Sequence, residues 1–176
     1  MTDGVDVQMI DLNRILAPVD LGPESRKVLG IAGEVASVFH SEVVAMHVVQ
    51  PVPPLPMAQE VPPGSTAAFN VPVYQSTLEE QAEASLEEMA DAELPGGMAR
   101  ALLVRTGRVA PTILEEARQG DYDLVVIGPG EGEDLDTMLF GSIAQRVVEN
   151  AAAPVLVLRG SGKSEEAEET MKGSEQ

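Results

Sequence analysis

The residues with the clearest chemical potential lie in the last third of the chain. Val125-Val126-Ile127-Gly128-Pro129-Gly130-Glu131-Gly132-Glu133-Asp134 is followed a few positions later by Leu139-Phe140-Gly141-Ser142. An apolar run, a glycine-rich turn and a Gly-Ser pair opening a helical pattern have the makings of a phosphate cradle. Gly128 lets the chain leave the apolar run with no side chain in a ligand's way, and Gly130 and Gly132 leave the turn free to reroute. Gly141 and Ser142 open a helix, whose unpaired backbone N–H groups and positive dipole end attract an anion. Ser142 can donate its hydroxyl to a phosphate oxygen or cap its own helix, and both readings stand. The pattern is neither a P-loop, since Gly-Lys-Ser/Thr is missing, nor a dinucleotide fingerprint, since Gly128, Gly130 and Gly132 do not run directly into a helix.

The same turn carries Glu131, Glu133, Asp134 and Asp136, and no lysine or arginine lies between Arg118 and Arg146. Phosphate is an anion, so these carboxylates oppose it. Acids at this density suit Mg²⁺ or Ca²⁺, but their spacing is not that of an EF-hand loop. A solvated acidic loop is the simpler reading, and no metal ligands are assigned. Mg²⁺ bridging the acids to a bound phosphate would ease the repulsion. No catalytic residues are assigned either. Cysteine is absent, no Ser-His-acid arrangement is suggested, and the two histidines have structural roles. His47 lies in an apolar run and reads as a packed strand residue, and His40 ends a helical pattern and reads as solvated. At most, slow phosphate-ester hydrolysis would be expected, with no nearby cation to neutralise the developing charge.

These residues must be held by a regular frame, and the hydrophobic pattern supplies one. Arg14 to Asp20 (RILAPVD) reads as a short strand, ended by the breaker Leu21-Gly22-Pro23. Glu24 to Phe39 places Val28, Ile31, Ala32, Val35 and Phe39 at helical spacing. Glu42 to Val49 (EVVAMHVV) is nearly all apolar, as a strand covered on both faces must be. Residues 50–76 hold seven prolines, which forbid a single helix or a central strand, so the segment reads as a long excursion. A helix is expected over Thr77 to Glu93, with Leu78, Ala82, Ser85, Leu86 and Met89 on one side and seven acids but no base in its span.

A third strand is expected over Ala99 to Arg105. A helix beginning near Pro111 then faces inward with Ile113, Leu114 and Ala117. Asp123 to Gly128 is a fourth strand, Ser142 to Ala152 a fourth helix with Ile143, Val147 and Val148 inward, and Pro154 to Arg159 a fifth strand. Five apolar strands alternating with four amphipathic helices specify an α/β protein built on a five-stranded parallel, doubly wound sheet. Ligands of such sheets sit beyond the carboxyl ends of the strands, where the winding reverses. One domain over residues 12–160 is expected, between a loose arm at 1–11 and a disordered acidic tail at 161–176.

Composition narrows the function classes. The 176 residues include 29 acids against 11 bases, for a net charge of −18. The bases are dispersed, so nucleic-acid backbones and anionic membranes are not expected partners. No apolar run is long enough to span a membrane, and Asp3 and Asp6 stand where a signal peptide carries positive charge. A cytoplasmic protein is therefore expected. Its acidic, lysine-poor surface fits both adaptation to high salt and an ordinary acidic protein. With no tryptophan and 3% aromatics, the core must be aliphatic.

Three stretches together, RILAPVD, EVVAMHVV and DLVVIG–loop–FGSIAQRVVENAAAPVLVLR, resemble the universal stress protein family over residues 12–160. The resemblance implies a Rossmann-like fold, commonly dimeric through the last strand (here 154–159), in which some members bind ATP or AMP and others do not. The nucleotide-binding signature is Gly, two residues, Gly, nine residues, Gly and Ser or Thr. Gly128 matches its first glycine, Gly141 and Ser142 match its last pair, and Glu131 stands where the second glycine belongs. Asp20, beside Pro18 and Val19, matches the acid that faces base and ribose, and Val48 matches the backbone position at the adenine edge. The expected site is thus Pro18, Val19, Asp20, Val48, Gly128, Gly130, Gly141 and Ser142. The expected function is weak binding of ATP or AMP, Mg²⁺ accompanying the nucleotide, in a sensor or regulatory module acting on an unidentified protein partner. The alternative is a nucleotide-free dimeric interaction protein whose phosphate loop has degenerated at Glu131.

Overall fold

A computed structural model describes residues 11–53, 71–128 and 141–159. Its strands are β1 (Arg14–Val19), β2 (Glu42–Val49), β3 (Arg100–Thr106), β4 (Leu124–Ile127) and β5 (Val155–Val157). Its helices are α1 (Pro23–Phe39), α2 (Val71–Glu93), α3 (Val109–Gln119) and α4 (Ser142–Asn150). All strand pairings are parallel, in the order β3-β2-β1-β4-β5. The expected doubly wound α/β sheet is therefore present, and its winding reverses between β1 and β4.

The two-residue period of the strands sorts the core into two layers. Ile15, Ala17, Val19, Val43, Ala45 and Val126 point to one face, where Leu29, Ala32 and Ala36 of α1 and Leu86, Met89 and Ala90 of α2 cover them. Leu16, Val44, Met46, Val48, Val125 and Ile127 point to the other, against Ile113 and Ala117 of α3 and Ala144 and Val147 of α4. Strands sandwiched this way have no solvated face, which is why β1, β2 and β4 read as continuous apolar runs. As composition requires, aliphatic side chains fill both layers.

Three helix readings need correction. α2 begins at Val71, inside the stretch taken as a proline-rich excursion, because Pro72 falls in the first turn, where its missing N–H costs no helical bond. The inner face of α1 is turned toward Leu29, Gly33 and Ala36, leaving Phe39 exposed. A Cβ on Gly33 would stand 3.1 Å from both Leu94 Cδ2 and Pro95 Cδ, so this face is packed against the end of α2. In α4 only Ala144 and Val147 are buried, while Ile143 and Val148 are exposed. On α2, Ser85 is likewise exposed. The arm at 1–10, the excursion's middle at 54–70, the turn at 129–140 and the tail from 160 lie outside the described residues.

At the amino ends of the strands, Tyr122 anchors β4. It is buried, donates its hydroxyl to Glu116 Oε1 at 3.0 Å, and lies under the Arg14 guanidinium, 4.8 Å from ring centroid to Cζ. Arg14 in turn holds Glu42 Oε2 at 2.9 Å, which secures β1 to β2. Burial first, then the bond to Glu116 and its charge, push the Tyr122 hydroxyl up to about 12. A raised tyrosine favours the fold below its ordinary value near 10 and loses that contribution as pH climbs through the folded value. The native protein should lose about 3 kcal/mol across that window from this group. In Tyr122→Phe this part of the alkaline decline should vanish. Urea unfolding at stepped alkaline pH measures it, and equal slopes for the two proteins would refute the assignment.

Candidate functional site

At the carboxyl ends of the strands, where the winding reverses, lies a cleft of about 530 Å³. Pockets of this size accept small ligands and cofactors. Its walls come from the ends of β1, β2 and β4, the starts of α1, α3 and α4, and the middle of α2. Pro18, Val19, Asp20, Val48, Gly128, Gly141 and Ser142 all line it. Residues more than a hundred positions apart in sequence are thus brought to one place. Gly130 and the acids Glu131, Glu133, Asp134 and Asp136 lie outside the described residues.

Asp20 stands just beyond β1 and builds the first turn of the wall. Its Oδ1 accepts the Gly22 N–H at 3.0 Å and the Ser25 hydroxyl, while its own N–H donates to Ser25 Oγ at 3.0 Å. Between the bonded residues, Leu21 adopts φ 66°, a left-handed conformation uncommon for a leucine. The reciprocal bonds hold that turn, and with it the exposed aspartate at the rim. A carboxylate so placed accepts hydrogen bonds and suits a hydroxyl or amino group.

The floor is strand backbone. His47 Nδ1 lies 2.8 Å from the Val19 carbonyl oxygen. A carbonyl only accepts, so Nδ1 carries the proton, and in the neutral ring Nε2 is left as an acceptor. His47 is half-buried in β2, as its apolar surroundings imply, yet it also lines the cleft. His40 occupies an exposed left-handed C-cap of α1 and lies outside the cleft lining.

Gly128 closes β4. A Cβ there would stand 2.7 Å from Val28 Cγ2, closer than real side chains approach, so the residue must be glycine for α1 to pack as it does. Gly141 is the N-cap of α4, with no side chain to satisfy the first-turn N–H groups, and Ser142 is the first helical residue. Ser142 is therefore not the N-cap, which was one of its two sequence readings. The helix start lines the cleft, and the positive end of its dipole suits an anion or a polar group.

Sequence reasoning missed part of the lining. Ser25, Gln50, Val109 and Ile113 also face the cleft. Only Ser25 carried a signal, as a hydroxyl one turn beyond the aspartate; the start of α3 arrives through tertiary packing. Outside the cleft, Glu79 of α2 accepts from Thr106 Oγ1 at 2.6 Å and Gln75 Nε2 at 3.1 Å, and Gln75 Oε1 accepts the Val52 N–H at 2.9 Å. The bond from Thr106, then that from Gln75, hold the Glu79 carboxyl below its ordinary range. This brace joins α2 to the ends of β2 and β3 beside the wall formed by Leu78 and Ala82. Among the described residues no group of three His, Asp or Glu side chains could hold a metal ion, and no helix is long and apolar enough to cross a membrane.

The order of strands, the cleft at the reversal and the helix opened by Gly141-Ser142 agree with the family resemblance in the sequence. A family model for universal stress proteins matches residues 12–159. The chain belongs to the universal stress protein family. It is 28% identical over 146 residues to the universal stress protein MJ0531 of Methanocaldococcus jannaschii, covering 83% of this chain and 81% of that one. Among solved structures, that of the hypothetical protein MJ0577 superposes with a TM-score of 0.69 at 20% identity, over 88% of this chain and all of that one. A universal stress protein in complex with cAMP superposes with a TM-score of 0.54 at 16% identity, over 85% of this chain and 98% of that one. At these identities the structural matches establish the universal stress protein fold.

Proposed function

We propose that this universal stress protein binds an adenine nucleotide, ATP or AMP, weakly in the cleft at the β1/β4 reversal, and acts as a sensor or regulatory module. The observation that carries the reading is the convergence of Pro18, Val19, Asp20, Val48, Gly128, Gly141 and Ser142 on one cleft. Asp20 offers an acceptor to base or ribose, the β2 backbone around Val48 an edge for the base, and the α4 start its amides for phosphate. Mg²⁺, when present, would act by offsetting the negative charge around the phosphates. A relative of the same fold in complex with cAMP is consistent with this reading. Mass spectrometry of ligand released from freshly purified protein should find an adenine nucleotide. Asp20→Ala should weaken binding about tenfold or more, the cost of a lost hydrogen bond to a charged group. Ser25→Ala, which removes the brace but keeps the carboxylate, should weaken it less. Calorimetry with both variants separates contact from scaffold, and equal losses would assign Asp20 to the turn alone.

A second reading rests on a different surface. β5 is a sheet edge, Leu156 on it is 36% exposed, and Val148 of the adjoining α4 is 47% exposed. An apolar open edge invites pairing with a second copy. A symmetric dimer through residues 154–159 follows, and with it a role as an interaction protein that needs no nucleotide. Sedimentation at micromolar concentration should give a dimer, and Leu156→Asp a monomer. A native monomer would remove this surface from consideration.

A further inference from the structure

The two-residue period of β2 divides the cleft into two halves. Val43 and Ala45 face α1 and α2, so His47 and Val49 face them too, whereas Val48 points toward α3 and α4. Apart from Val19, the residues that carry the nucleotide reading lie along the strand ends and on the α3/α4 side. The other half is walled by Ser25, Val28, His47, Val49, Leu78 and Ala82, with no acid, lysine or arginine among them. Val28, Val49 and Ala82 are buried and Leu78 is half-buried. The Ser25 hydroxyl is committed, since it donates to Asp20 Oδ1 and accepts the Asp20 N–H at 3.0 Å. That leaves the imidazole. Its Nδ1 proton goes to the Val19 carbonyl at 2.8 Å, which fixes the ring and makes Nε2 the acceptor of the neutral form. Among the described residues Nε2 has no hydrogen-bond partner, and no side-chain nitrogen or oxygen is buried without one. Nε2 therefore opens into the cleft that His47 lines.

We propose that the α1/α2 half of the cleft is a binding site of its own, for a neutral apolar ring bearing one N–H or O–H donor, with His47 Nε2 as the acceptor. Apolar walls favour a ring and disfavour a charge. A single fixed acceptor calls for a single donor. A ring without that donor covers Nε2 and leaves it unmet, which costs more than the bond itself contributes. The asymmetry makes this half selective between rings of nearly the same shape. No nucleotide is needed for this site.

Indole and 1-methylindole differ by one donor and serve as probes. The chain has no tryptophan, so indole fluorescence reports its own binding. In mildly alkaline buffer, where imidazoles are neutral, indole should bind the full chain about tenfold more tightly than 1-methylindole. His47→Phe should erase that preference. No binding of indole, equal affinities in the native protein, or a preference kept by the phenylalanine variant would each overturn the assignment. The native protein also gives a direct reading by nitrogen NMR, because it has only two histidines. The Nε2 resonance of His47 should shift with indole and much less with 1-methylindole, while His40, outside the cleft lining, stays in place. A His47 resonance that ignores indole would overturn the contact. Ala82→Leu should fill this half and remove indole binding, and unchanged binding would put the probe elsewhere. Saturating indole should leave the calorimetric binding of AMP in place, and mutual exclusion would merge the halves into one site. A protein that takes up indole but no AMP would keep this site and lose the nucleotide reading, so the two fail separately.

Discussion

Glu131→Gly is expected to strengthen ATP binding by about a hundredfold in the absence of divalent cations, the combined effect of about 1 kcal/mol for each of two or three like-charge pairs at ~8 Å and an effective dielectric near 40. Glu131 is three residues beyond Gly128, a cleft residue, and three residues of chain reach at most ~11 Å. The substitution removes a charge and restores the glycine that nucleotide-binding members carry in register. Added Mg²⁺ should help the native protein more than the variant, since the cation neutralises a carboxylate that the variant lacks. Calorimetry decides it. If neither protein takes up ATP with or without Mg²⁺, the interaction-protein reading replaces the sensor.

Gly128→Ala is expected to cost about 1–3 kcal/mol of stability and most of the ligand affinity. The new methyl would meet Val28 Cγ2 at 2.7 Å, and Val28 is 3% exposed in the core. A β-branched side chain has little rotamer freedom with which to yield, so backbone must move, and it moves at the mouth of the cleft. Val28→Ala removes the opposing methyl. The double variant should therefore be less destabilised than the sum of the single ones by about 1 kcal/mol. Urea unfolding of the four proteins closes the cycle, and strict additivity would mean that the clash is relieved elsewhere.

The sheet was readable from sequence because its strands are covered on both faces. Ile15 to Val19, Val43 to Met46 and Val125 to Ile127 are unbroken apolar runs, and such runs with helical patterns between them leave few topologies open. Helix details were less readable where two apolar faces competed. α1 offers Ile31, Val35 and Phe39 as well as Leu29 and Ala36, and the choice fell to Gly33, which lets α1 approach Leu94. Pro72 misled because a proline both ends helices and starts them.

For the site, family resemblance supplied Asp20, Val48, Gly128, Gly141 and Ser142, and these residues do share a cleft. Bare spacing supplied only a glycine-rich turn before a helix. Ser25, Gln50, Val109 and Ile113 belong to the wall through tertiary packing, which leaves no local mark. The rim bonds of Asp20 depend on Leu21 at φ 66°, a conformation that nothing about leucine foretells.

The reversal of winding between β1 and β4 also governs when the site can exist during synthesis. Part of the wall is made by residues between Pro18 and Gln50, and another part by Ile127, Gly128 and the start of α4 from Gly141 to Ala144. A nascent chain halted after α3 lacks β4 and α4, and with them the Ile127, Gly128 and Gly141–Ala144 part of the cleft wall. Ligand present at translation therefore cannot assist the first half of folding. It can hold only a chain whose β4 and α4 have been made, by mass action on the finished state. A metabolite bound here would thus protect completed molecules from proteolysis while leaving truncated products exposed to it.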